Sequence, residues 1–159
     1  MTSFPLHGER LDLGLNSCAW LPCHIGTNTT FKSNCSVGAL SHIGRDVMIG
    51  NNVRIQGGCY IADRTLIEDD VFIGPCAVTL NDKYPPSNNA DLWQPVTLER
   101  GCVIGGNATI LPGVRVGKNA VVAAGSTVTK DIPEHQVWAG TPAKFLMGRE
   151  EYESRRDND

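Results

Sequence analysis

His24, His42 and Tyr60 are equally spaced along the chain, at an interval that neither a helix nor a simple strand explains. Arg45, Asp63 and Asn81 repeat the same interval a short step further on. An imidazole titrates near neutrality, which makes His42 a candidate general base. Asp82, the neighbour of Asn81, is a second candidate. For such side chains to share a site, the backbone must return to the same place at each repeat of that interval.

The apolar pattern shows that it does. From Ile25 a six-residue beat gives Ile25, Phe31, Val37, Ile43, Ile49, Ile55, Ile61, Ile67 and Ile73, then resumes at Leu98, Ile104, Ile110, Val116, Val122 and Val128. Four places after each comes a small or β-branched residue, among them Cys35, Ser41, Thr65, Ala77, Cys102 and Ala108. A period of six fits neither an amphipathic helix nor an alternating strand. It fits a parallel β-helix in which each hexad forms one flat side and three hexads close a triangular coil. Three hexads are also the interval from His24 to His42. The large residue fills the interior and the small one leaves room near the corner, where Gly or Asn permits the turn. Fifteen hexads make about five coils, a prism on the order of 25 Å tall. On this geometry His24, His42 and Tyr60 form one outward column, and Arg45, Asp63 and Asn81 a second, which could floor a pocket or simply be polar surface.

At 159 residues the chain is expected to be a single domain. A net charge of −3 with no basic run gives no support to nucleic-acid binding. No apolar stretch reaches the length of a membrane span, and Met1–Leu15 lacks a signal-peptide core. Three of the six cysteines fall on small-residue positions, so the thiols are expected to be reduced fillers, which favours the cytoplasm. Residues 1–24 are expected to cap the open end of the prism, and 25–78 and 98–133 to form coils. The run 79–97, with three prolines and a tryptophan, should protrude as a loop, and 134–159 should form a tail. Glu151 and Arg155 have the spacing of a short terminal helix.

The hexads, the run AGSTVTKDIP and the ending GTPAK resemble the left-handed β-helix acyltransferases, which use acyl-CoA. RIQGGCYIADRTLIEDDVFIGPCAVTLND and QPVTLERGCVIGGNATILPGV resemble the bacterial N-acetyltransferases of nucleotide-linked amino sugars, particularly 3-amino sugars. The resemblance implies left-handed winding and a cytoplasmic homotrimer with an active site between neighbouring prisms. It implies acetyl-CoA as co-substrate, no metal, and a CoA arm held near Gly105, Gly106, Ala123 and Ala124. The adenine and phosphate end would reach Thr129, Lys130, Pro142, Ala143 and Lys144. Asn81 would lie beside the acceptor amine. The stacked columns, apart from the resemblance, make Arg45, Tyr60 and Asp63 candidates for the floor of the sugar pocket, with Tyr84 on the loop a further candidate. One departure is Pro86, where the family often carries Arg.

N-acetylation needs a neutral amine, donors for the developing oxyanion, and a destination for the amine proton. A backbone N–H at Gly105 or Gly106 is the expected donor. The proton can pass to His42, to Asp82, or directly to the departing thiolate while Asn81 holds the amine. Three other readings compete. O-acetylation of a sugar, serine or xenobiotic hydroxyl would want a stronger base. A carbonic-anhydrase-like zinc site would want three His ligands, and no His occurs between His42 and His135. A non-catalytic scaffold would bind no CoA.

Overall fold

The computed structural model describes residues 8–156, and the first seven residues of the expected cap and the last three of the tail lie outside it. The chain winds into three parallel sheets that form the sides of a prism. Sheet A carries, among others, Ser36–Val37, Arg54–Ile55, Phe72–Ile73, Val103–Ile104 and Val121–Val122. Sheet B stacks His24–Ile25, His42–Ile43, Tyr60–Ile61, Val78–Thr79, Thr109–Ile110 and Thr127–Val128. Sheet C stacks Thr30–Phe31, Met48–Ile49, Leu66–Ile67, Thr97–Leu98 and Arg115–Val116. The chain therefore turns an A–B corner, a B–C corner and a C–A corner in every coil.

Each strand from His24–Ile25 to Thr127–Val128 has two residues, the first outward and the second inward. Ile43, Ile55, Ile61, Ile67, Ile73, Leu98, Ile104 and Ile110 are fully buried on one continuous axis. Burying each such side chain is worth roughly 1.5–3 kcal/mol. The small positions do more than save space. Ser41 Oγ donates to Gln56 O at 3.1 Å and accepts from Cys59 N at 3.3 Å, sewing adjacent coils together. Asn16, Asn34 and Asn52 adopt positive φ, and their side-chain amides bond upward in a ladder ending on Asp70. Cys35, Cys59 and Cys102 are buried fillers, and all six thiols are free.

The coil is longer than the five turns expected from the hexads. Ser17–Trp20, read as part of a cap, pairs in parallel with Ser36–Val37, and Gln136–Gly140, read as tail, pairs in parallel with Val121–Val122. Sheet A thus holds seven parallel strands among the described residues. The beat does continue to Ala19, which is fully buried, but a methyl group there is too small to mark a core position. At the other end the register slips: Val122 pairs with Trp138, where the regular interval of three hexads would have brought Gly140.

The loop is shorter than expected, because Thr79 and Val96 are buried in the coil. Phe72 pairs with Arg54, one regular coil back, but with Val103 in the coil ahead, where an uninterrupted beat would have placed Ala90. The excursion therefore inserts as much chain as separates Ala90 from Val103. In the tail an antiparallel hairpin, Gln136–Gly140 with Ala143–Gly148, precedes the helix Arg149–Arg156. The expected Glu151–Arg155 pair closes at 2.7 Å.

Candidate functional site

The A–B corner is built from residues 74–77, 105–108 and 123–126. Gly105 has its place for a packing reason: a Cβ there would collide with the Ala124 backbone nitrogen. Its N–H donates to Val122 O at 2.8 Å, so it belongs to the ladder, which leaves Gly106 of the two expected oxyanion donors. Gly106 and Ala124 differ. Among the described residues neither donates its N–H within the fold. Their corner opens into a cavity of about 470 Å³. A second cavity of about 630 Å³ continues along Gly105, Ala123, Val121 and Val137 to Leu146 and Tyr152.

The B–C corner is charged and carries the loop. Asp63 accepts Arg45 N–H at 2.8 Å, Arg45 Nε at 2.9 Å and Arg45 Nη2 at 2.7 Å. Burial alone would raise the Asp63 carboxyl. The Arg45 hydrogen bonds and charge, with His42 assisting, hold it below the usual carboxylate range. Asn81 stands at the head of the loop. Its carbonyl accepts Gln94 N–H at 2.7 Å and closes the loop's neck. Asp82 accepts Tyr84 N–H at 3.2 Å and Ser87 N–H at 2.9 Å. The bond from Ser87 outweighs desolvation and depresses its pKa, so Asp82 shapes the loop and is a poor base. Arg64 ties down the far limb, donating to Ala90 O at 3.0 Å and lying 5.9 Å from the Trp93 ring centre. Tyr84 is 78 % exposed at the tip.

Between the two corners lies the outer face of sheet B. His24 stacks on His42 at 4.5 Å and His42 on Tyr60 at 4.8 Å, as their equal spacing in the sequence predicts. Burial and then the neighbouring His24 lower the His42 pKa, with Asp63 opposing, so His42 is neutral at neutral pH and a weaker base than a free imidazole.

Two family models match this chain: one described as a bacterial transferase hexapeptide of six repeats, over residues 28–81, and one as a hexapeptide repeat of succinyl-transferase, over 95–130. Together they take in more than half of the 159 residues. The chain belongs to the hexapeptide-repeat transferases. An acetyltransferase candidate of Saccharomyces cerevisiae is 35% identical over 129 residues, covering 78% of this chain and 64% of its own length. The 2,3,4,5-tetrahydropyridine-2,6-dicarboxylate N-acetyltransferase of Staphylococcus aureus is 45% identical over 87 residues, 55% of this chain and 34% of its own. The chain thus spans less than two thirds of either relative. Among solved structures, AntD, an N-acyltransferase of Bacillus cereus in complex with dTDP and coenzyme A, aligns over 96% of this chain and 97% of its own. Its TM-score of 0.56 at 17% identity is a likeness of fold.

In this hexapeptide-repeat transferase the residues singled out from sequence fall into three groups, two on different corners and one at the C-terminal end. Gly105, Gly106, Ala123 and Ala124 share the A–B corner. Arg45, Asp63, Asn81, Asp82 and Tyr84 share the B–C corner, with His42 and Tyr60 on the face between. Thr129, Lys130, Pro142 and Lys144 gather at the C-terminal end, where Thr141 Oγ1 reaches Thr127 Oγ1 at 3.4 Å. Lys130 is exposed, with its ammonium 5.2 Å from the Trp138 ring centre. Ala143 is 2% exposed and packs in the core, so only its backbone can face a ligand. Among the described residues no three His, Cys, Asp or Glu side chains converge on a metal-sized site. Sequence reasoning missed Arg64, whose only signal was a bulky residue at a corner where its neighbours are Asn and Asp.

Proposed function

We propose that this chain is an acetyl-CoA-dependent N-acetyltransferase that acetylates the amino group of a nucleotide-linked amino sugar, a 3-amino sugar being the favoured substrate. The observation that carries this is the A–B corner: a groove with two uncapped backbone N–H groups, where the C–A corner caps those of Ser33, Asn51, Arg100 and Lys118 with side chains. A pantetheine chain carries amides that such N–H groups can bind, and small residues let it approach the main chain. The identity to an N-acetyltransferase across the repeats supports an amine acceptor, and the resemblance of the loop region supports the nucleotide-linked sugar.

In this reading the Gly106 N–H donates to the thioester oxygen as charge develops there. The Asn81 side chain holds the neutral amine, whose lone pair attacks the carbonyl carbon. The C–N bond forms, the C–S bond breaks, and the ammonium proton passes to the departing thiolate, with neutral His42 as the alternative acceptor. Thr129, Lys130, Thr141 and Lys144 would meet the distal end of CoA, Lys130 after leaving Trp138. Arg45 and Asp63 would line the acceptor side with Tyr60 and Tyr84.

Because the donor and acceptor groups occupy different corners of one prism, the reading requires the A–B corner of one protomer to face the B–C corner of the next. A cytoplasmic homotrimer of left-handed coils supplies three such sites. The test is thiol release from acetyl-CoA against a panel of nucleotide-linked 3-amino and 4-amino sugars, with light scattering in parallel. Turnover with an amino sugar and a mass near three times 17.2 kDa are expected. A monomer at micromolar concentration, or release only with hydroxyl acceptors, would refute the proposal.

A further inference from the structure

In a regular coil two hydrogen-bond rules connect each turn to the next. The main chain donates to the carbonyl one place short of a full coil ahead, as in Gly26 N to Ile43 O and Gly44 N to Ile61 O, both at 2.8 Å. The hydroxyl at the small position donates to a carbonyl two places earlier still, as in Thr29 Oγ1 to Gly44 O at 2.7 Å. At the root of the loop both rules fail together. Ala62 N is due at the Thr79 carbonyl but donates to Thr79 Oγ1 at 2.9 Å. Thr65 Oγ1 is due at the Leu80 carbonyl but donates to Ala62 O at 2.7 Å. The Thr79 hydroxyl has spent its acceptor on Ala62 and has its own proton left, which Thr65 Oγ1 can take at 3.3 Å. Pairing of the two strands below the loop ends at Val78–Tyr60, while Val78 and Thr79 both remain paired above, with Thr109 and Ile110.

We propose that the buried Thr65–Thr79 hydroxyl pair is a lock that positions Asn81. It lets the chain leave the coil after Thr79 without stranding the Ala62 N–H, and so sets the direction in which the loop departs. Thr65 is 0% and Thr79 2% exposed, so water cannot substitute for either hydroxyl. Asn81 lies just beyond Thr79 and Leu80, and the neck it closes with Gln94 N–H inherits the same orientation. Neither threonine touches the solvent-facing site, so both act through Asn81. The catalytic consequence rests on the proposed role of Asn81; the lock itself does not.

The test compares Thr79→Val, which keeps the shape and removes the hydroxyl, with Thr79→Ser, which keeps the hydroxyl. Amide hydrogen exchange on the full-length protein should show the Gln94 N–H exchanging at least about tenfold faster in Thr79→Val, with Gly26 and Gly44 amides unchanged and Thr79→Ser close to wild type. Acceleration spread evenly over the coils, or an unchanged Gln94 amide, would overturn the lock. Acetyl transfer from acetyl-CoA to a dTDP-linked 3-amino-3,6-dideoxyhexose is the second arm. Thr79→Val should lower kcat at least about tenfold while leaving the Kd of CoA unaltered, and Thr79→Ser should restore it. A loosened neck with undiminished transfer would refute positioning of Asn81 while leaving the lock standing. Should the wild type acetylate no amino sugar, the proposed function fails and the exchange arm still decides the lock.

Discussion

The same hexad makes every corner, yet side chains seal the C–A corner and leave the A–B corner bare. At the C–A corner Asn51 Oδ1 caps Ser33 N–H at 3.2 Å, Asp69 Oδ1 caps Asn51 N–H at 2.8 Å, and Glu68 Oε2 caps Arg100 N–H at 2.9 Å. The B–C corner is intermediate: among the described residues Asp63 caps Arg45 N–H there, and no other N–H at the equivalent positions is capped. At the A–B corner the corresponding residues are Gly57, Pro75, Gly106 and Ala124, none of which carries a side-chain acceptor. An exposed N–H row that a neighbouring carboxylate does not claim is free for a ligand. The coil geometry is common to all three corners; the identity of one residue per turn decides whether an edge is surface or site.

The sharpest way to break this comparison is to remove one bare N–H. Pro75 already occupies the corner position below Gly106, so the turn accepts proline, and Gly106→Pro should fold. A Cβ at Gly106 would sit 3.2 Å from Pro75 O, a tight but adjustable contact. If the Gly106 N–H stabilises the oxyanion, kcat should fall roughly 10²–10³-fold. Gly106→Ala, which keeps the N–H and copies Ala124, should fall far less. Equal losses in the two variants would trace the effect to bulk, and the corner would lose its claim to the chemistry.

At the opposite corner Asn81→Ala should lower kcat/KM for the amine by roughly 10²-fold, about 3 kcal/mol of transition-state stabilisation. Calorimetry should find CoA binding unchanged, because Asn81 stands at the B–C corner, away from the proposed CoA groove. Weakened CoA binding would mean that the division of labour between corners is wrong.

The smallest effects belong to the face between the corners. With the thiolate carrying the proton away, His42→Gln should cost less than about tenfold in kcat, and the pH–rate profile should follow the acceptor amine. His42 has a lowered folded pKa, so its neutral form stabilises the fold above the unfolded value near 6.5, and that stability is lost as pH falls. Asp63, also lowered, holds its contribution down to the unfolded value of about 3.9 and loses it below. Thermal midpoints should therefore decline slightly from pH 7 to pH 5, and His42→Gln should flatten that decline. A midpoint that rises on acidification would contradict the stacked, neutral imidazole.

Periodicity by itself determined the parallel coil, the buried Ile axis, the cysteine fillers, the insertion after the fourth sheet-B strand and the His24–His42–Tyr60 stack, because each follows from a chain that returns to the same place every third hexad. The terminal coils escaped notice where the beat was carried by Ala19 or displaced at Trp138. What only the tertiary structure decided depends on bonds between coils. It assigned the Gly105 N–H to Val122 and left Gly106 bare, tied Asp82 to Ser87, and set the Asn81 carbonyl on Gln94. It also exchanged a carbonyl for the Thr79 hydroxyl at the loop root. A repeat specifies where side chains stand; which partner each polar group takes is settled by the competing donors and acceptors of the coils above and below, and no local pattern records that competition.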